Sequence, residues 1–225
     1  MPPFVLERIT IELVSAIFCF ILMRFMIKPF RLTGEARYLG LPIGFGFLGL
    51  SYLLSAFLYS PLFTLHAWTN FGWVQVLIRG FAFIFLAATY YFSKSEKKLR
   101  FLWSLVLSCL LIIMTFLILF AIISPEITQS DYLFYYIISR VAGLACLGYI
   151  SIHALKSHAK LSDSTTLLTP LGYILIAIDQ YSSIIWRVDR SYLALFGGLS
   201  FRLAGLVIFL YVLYKGFYST GNENE

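Results

Sequence analysis

Residues Tyr192–Tyr214 read YLALFGGLSFRLAGLVIFLYVLY, an apolar run of 23 residues interrupted by one charged side chain, Arg202. A hydrocarbon core of roughly 30 Å takes about 20 apolar residues per helical crossing, so the run reads as a transmembrane helix. An arginine at that depth is costly unless it faces protein, water or a bound anion. Two other runs repeat the pattern: IRGFAF around Arg79 and SRVAGL around Arg140.

Working outward, six further runs of similar length precede the last one. The expected spans are 9–27, 39–59, 72–92, 101–123, 132–155, 167–188 and 192–214. Composition agrees, since 60% of the 225 residues are hydrophobic and only 12% charged, against about a quarter charged in soluble domains. The fold class expected is all-α: a polytopic integral membrane protein, one seven-transmembrane-helix domain over 1–225. The spans and their short links use up most of the length, which leaves no expected room for a soluble domain. The first run is too long for a signal-peptide core and ends in Arg24 and Lys28 instead of a small-residue cleavage site, so it is expected to remain as a span.

Lysine and arginine in the links set the expected orientation. Eleven fall on one side and three, Arg8, Arg187 and Arg190, on the other. The N-terminus is therefore expected outside and the C-terminus in the cytoplasm, most naturally of the cell membrane. The net charge of +6 sits in links, not on a basic face with interleaved aromatics, so no nucleic acid partner is expected. Tryptophans 68, 73, 103 and 186 fall near span ends, where interfacial aromatic belts lie. Segment 101–123, apolar throughout, is the expected lipid-facing helix.

Arg79, Arg140 and Arg202 are spaced by 61 and 62 residues, each on a span running the same way. The helical hairpin is thus a candidate repeating unit. LPIGFGFLGLSYLLS of the second span also aligns with TPLGYILIAIDQYSS of the sixth, matching Pro42 with Pro170, Gly44 with Gly172 and Ser55 with Ser183, and setting Ser51 opposite Asp179.

At a rise of ~1.5 Å per residue, Arg79, Arg140 and Arg202 lie about 10, 12 and 15 Å below the outer ends of their spans, and Asp179 about 14 Å below the same surface. With Glu12 near the outer end of the first span, three guanidiniums face two carboxylates. Gln75, four residues before Arg79, shares its helix face. These six residues form the candidate ligand-binding set: an anion-attracting region in the outer half. Interhelical ties between the same charges are the competing reading.

Catalytic and metal motifs are not found. H-E-x-x-H, G-x-S-x-G and paired C-x-x-C are missing from the sequence, His153 and His158 are five apart, and Cys19, Cys109 and Cys146 read as buried thiols without a disulfide framework. No enzyme activity, cofactor or metal is expected. The expected partners are the lipid bilayer, a small anionic or amphipathic ligand and a separate cytoplasmic or membrane protein. A receptor-like or sensory module leads the expectation, ahead of an anion transporter or channel and of a structural subunit of a membrane complex.

Overall fold

Seven helices account for the chain in the computed structural model, which describes residues 4–33, 39–60, 65–92, 99–123, 129–161 and 167–218. In order they are α1 (Val5–Thr33), α2 (Gly40–Tyr59), α3 (Leu65–Phe92), α4 (Leu99–Ile123), α5 (Gln129–Leu161), α6 (Leu168–Asp189) and α7 (Tyr192–Tyr218). All seven are long and apolar enough to cross a bilayer. Backbone groups in hydrocarbon must be satisfied within the segment, and a continuous helix does this.

Several helices overrun the spans expected from hydropathy. α1 continues through Pro29 to Thr33, α3 begins at Leu65 instead of 72, and α5 runs from Gln129 to Leu161. Apolarity marks the thickness of the hydrocarbon, whereas a helix ends only where its backbone finds other partners. Arg37, Lys94, Lys97 and Lys98, on which the expected orientation partly rests, the links 34–38, 93–98 and 162–166 that include them, and the tail GNENE lie outside the described residues. So do the side chains of 61–70, including His66 and Trp68.

The chain divides into two compact units, Met1–Ala142 and Gly143–Glu225. In the first, α1 turns one face inward through Glu12, Ser15, Ala16, Cys19 and Leu22, all buried and spaced at helical intervals. Ser15 is accommodated by donating to the Ile11 carbonyl at 2.7 Å. α2 packs against α1 where glycines replace side chains: a Cβ on Gly49 would stand 3.1 Å from Cys19 Cβ and one on Gly46 2.8 Å from Met23 Sδ. The other side of α2 meets α3, where a Cβ on Gly44 would lie 2.7 Å from Leu86. Small residues at such positions let helices approach closely in lipid, where packing replaces the hydrophobic effect.

α4 joins α3 through Trp103, Leu107, Met114 and Ala121, which meet Phe81, Phe85, Val74 and Ile78. Most of its other large side chains, among them Ile112, Phe116, Phe120 and Ile123, are exposed, the pattern of a helix offering most of its surface to lipid. Cys109 lies on this exposed surface and Cys146 is half-buried, so only Cys19 matches the expectation of buried thiols. Trp103 also departs from its expected role. It is buried, 5.2 Å from the Phe92 ring, and serves as interior packing at the helix end instead of an interfacial anchor.

In the second unit α6 and α7 form a hairpin with a tight turn. Arg190 adopts the left-handed conformation (φ 51°) and its N–H donates to the Trp186 carbonyl at 3.0 Å, closing α6. Ser191 Oγ then accepts from the Ala194 N–H at 3.4 Å and caps α7. The helices touch along Gly172, Gly198 and Gly205: a Cβ on Gly205 would stand 2.8 Å from the Gly172 carbonyl oxygen. Tyr173 and Phe209 stack beside them, ring centroids 4.6 Å apart.

Candidate functional site

Three arginines are buried on apolar helices: Arg79 is 4% exposed, Arg140 6% and Arg202 1%. The buried carboxylates among the described residues are Glu12 and Asp179, each 2% exposed. Arginine keeps its proton in almost any surroundings, so each guanidinium carries its charge inward.

The first unit holds Arg79 in a polar cluster between α2 and α3. Ser51, fully buried on α2, accepts from Arg79 Nε at 2.8 Å and from Gln75 Nε2 at 3.2 Å, and its hydroxyl lies 3.4 Å from the Gln75 carbonyl. The guanidinium also stands over the Tyr52 ring, 4.8 Å from its centroid, a cation–π contact strengthened by desolvation. The i, i+4 spacing of Gln75 and Arg79 does put them on one face, and that face meets α2. Ser51 and Tyr52 were not expected as site residues. A serine in an apolar span is a common packing residue, and only the register of α2 on α3 sets it under a guanidinium.

Arg140 comes from α5. Its guanidinium lies 4.9 Å from the ring centroid of Tyr136, one turn earlier. The N-terminal half of α5 rests on α3 through Trp73 with Tyr135, 4.5 Å between centroids, and through Ser139 Oγ, 3.4 Å from the Val76 carbonyl. A Cβ on Gly80 would meet the same hydroxyl at 3.1 Å. This register sets Arg79, beside Gly80, and Arg140, beside Ser139, at one height. Glu12 lies toward the Arg8 end of α1, where the Arg8 guanidinium covers the Tyr59 ring at 3.6 Å. The contacts of α1 with α2 and of α2 with α3 place its backbone about 10 Å along the axis from that of Arg79.

In the second unit Asp179 and Gln180 are buried side by side on α6, and Gln180 Nε2 donates to Asp179 Oδ2 at 3.0 Å. A Cβ on Gly198 would stand 3.4 Å from Asp179 Oδ1, so α7 runs directly past the carboxylate. Arg202 is one turn further along this buried face. Helical side chains lean toward the N-terminus, which directs Arg202 back toward Gly198 and the height of Asp179. Gln180 was not anticipated either.

Among the described residues no group of three or more histidine, cysteine, aspartate or glutamate side chains is placed to hold a metal ion. His153 is half-buried and lies 6.0 Å from the Tyr149 ring on its own helix.

Comparison with protein-family models, with curated proteins and with solved structures returned no match. The class is defined by the helices themselves: the chain is a multi-pass integral membrane protein with seven candidate transmembrane helices.

Proposed function

We propose that the protein is a receptor-like or sensory membrane module that binds a small anionic or amphipathic ligand through its buried arginines, in the half of the bilayer facing away from the cytoplasm. The observation that carries this reading is the balance of buried charge. Among the described residues three buried guanidiniums accompany two buried carboxylates, so buried positive charge exceeds buried negative charge by one. Moving an ion of this size into a medium of low dielectric carries an effective penalty of several kcal/mol, which a bound carboxylate or phosphate offsets.

Arg79 and Arg140, at one height in the first unit, supply the binding charge, with Gln75 beside Arg79. Binding is favoured over transport because the spans continue without a mid-span break among the described residues, Pro42 and Pro170 lying in the first turns of α2 and α6 and Pro29 near the end of α1; carriers commonly bind their substrate at broken helices. A separate protein partner would read the liganded state through the lysines and arginines between the spans.

The test is native mass spectrometry of the full chain in a neutral detergent, followed by titration with dodecyl phosphate in phosphatidylcholine nanodiscs. The reading expects saturable binding weakened at least tenfold by Arg79→Gln or Arg140→Gln, with both variants inserted and folded. Absence of any retained or titrated anion overturns it.

A further inference from the structure

We infer that Arg8 and Tyr59 form a second oxyanion site, separate from the buried arginines, at the end of the first unit where α1 begins and α2 stops. Its ligand is a phosphate group. The Arg8 guanidinium, laid flat on the Tyr59 ring, is the part that recognises it.

Arg8, Arg79 and Arg140 each stand over a tyrosine ring, and the distances separate them. Arg79 and Arg140 lie 4.8 and 4.9 Å from the centroids of Tyr52 and Tyr136, whereas Arg8 lies 3.6 Å from that of Tyr59. Carbon atoms at about 3.5–4.0 Å are in van der Waals contact, so at this distance the guanidinium meets the ring by its face. An N–H aimed at the ring would hold the central carbon further off. The N–H donors of Arg8 therefore lie in a plane parallel to the ring, and none is used against it. The fork keeps the planar edge that matches the oxygens of a phosphate, and the stack holds it in one orientation before a ligand arrives.

Helix periodicity and register bring the pair together. Arg8 is one turn before Glu12 and extends the face of α1 that turns inward through Glu12, Ser15 and Cys19. α2 runs against this face in the opposite direction, Gly46 at Met23 and Gly49 at Cys19. Continued in the same register, Tyr59, the last residue of α2, comes level with the first turns of α1. The Arg8 side chain is half-buried, and its Nε, a buried atom, has no hydrogen-bond acceptor among the described residues. Recognition therefore falls to the two Nη groups at the tip.

Position and charge select the ligand. Arg8 lies at the beginning of one apolar span and Tyr59 at the end of another, the level at which interfacial aromatic rings meet lipid headgroups. A cation held partly out of water carries a desolvation cost that the ring offsets in part and a phosphate at the Nη groups offsets further. Beyond Arg8, α1 exposes Leu13, Ile17 and Ile21, an apolar strip for the chain of an amphiphile. The neighbouring acids are Glu7, exposed and about 100° round the helix, and Glu12, buried one turn on. With two carboxylates in this stretch no basic field gathers anions here, so the stacked fork itself supplies the selectivity. The phosphate is that of a lipid headgroup or of a free aqueous anion.

This site stands without the anion-binding reading above, and its test separates the two. The full chain in dodecyl maltoside is titrated by native mass spectrometry with dimyristoyl phosphatidylglycerol, with the diglyceride of the same chains and with inorganic phosphate. One equivalent of the phospholipid should bind saturably and in preference to the diglyceride. Arg8→Gln should weaken it at least tenfold. So should Arg8→Lys, which keeps the charge without the planar fork, and Tyr59→Leu, which keeps the arginine without the ring. Displacement by inorganic phosphate identifies an aqueous anion, and persistence identifies a headgroup taken from the membrane; either supports the site. The same equivalent should survive Arg79→Gln and Arg140→Gln, even where those variants lose the binding proposed for the buried arginines. Should Arg8→Gln fail to accumulate, Arg8→Lys and Tyr59→Leu decide. The inference is overturned by equal binding of the diglyceride, by an Arg8→Lys protein that binds like wild type, by loss of the equivalent in Arg79→Gln or Arg140→Gln but not in the Arg8 variants, or by a wild type that binds no phospholipid.

Discussion

The α2–α3 and α6–α7 hairpins solve the same problem with the side chains redistributed. Each must hold a guanidinium between two apolar helices. In the first, α2 is small at the contact, with Ser51, and α3 supplies the bulk and the amide donor, Gln75. In the second, α6 supplies both the acid and the amide, Asp179 and Gln180, and α7 makes room with Gly198. Bulk on one helix is matched by its absence on the other, while the charge at the contact differs. The difference teaches that a buried arginine alone does not define a site; the residue facing it does.

The comparison is broken most severely at the acid. On the reading that Asp179 ties to Arg202, Asp179→Ala leaves that guanidinium without its carboxylate, and removal of one partner of a buried pair costs about 3–5 kcal/mol. Ser51→Ala removes a hydroxyl bonded to a charged group, a loss of about 1.5–3 kcal/mol. Thermal unfolding in one detergent should therefore rank Asp179→Ala well below Ser51→Ala; equal losses would mean that Asp179 and Ser51 do not play the different parts assigned to them.

A smaller effect distinguishes the close approaches. An alanine methyl at position 205 meets a backbone carbonyl, which cannot turn aside, whereas a methyl at position 44 meets chiefly the end of the Leu86 side chain, which can. Gly205→Ala should cost about 1–3 kcal/mol, the range for overpacking, and Gly44→Ala less. The same unfolding assay reads the difference, and a reversed order would contradict the helix register described above.

The smallest effect lies in the turn peculiar to the second hairpin. Arg190 holds a left-handed conformation that costs a residue with a Cβ roughly 1–2 kcal/mol. Arg190→Gly should therefore stabilise the protein by about 1 kcal/mol, seen as a higher unfolding midpoint, with no effect on anion binding. A lowered midpoint would show that the arginine side chain contributes more than its backbone conformation costs.

Legibility in the sequence followed the range of the interaction concerned. Seven spans could be read because crossing hydrocarbon demands a long apolar run, and α4 could be read as the helix most open to lipid because it carries no charge from Phe101 to Ile123. Gln75 and Arg79 could be set on one face because i, i+4 spacing is a property of a single helix. Ser51 and Tyr52 could not be chosen from among many similar polar residues in apolar spans, since each acquires its role from Arg79 on another helix. Trp103 misled for the same reason: its place near a helix end is local, but whether it faces headgroups or Phe92 is not.

By itself, then, the amino-acid order determined the class of protein, the number of crossings and the presence of charges that hydrocarbon would not tolerate unaided, because solvation acts on each segment separately. The tertiary structure decided that Arg79 meets the Ser51 hydroxyl and that α7 runs past the Asp179 carboxylate, because that depends on the register in which two helices pack, and register is fixed by the close contacts of Gly44, Gly172, Gly198 and Gly205 with the helices they face.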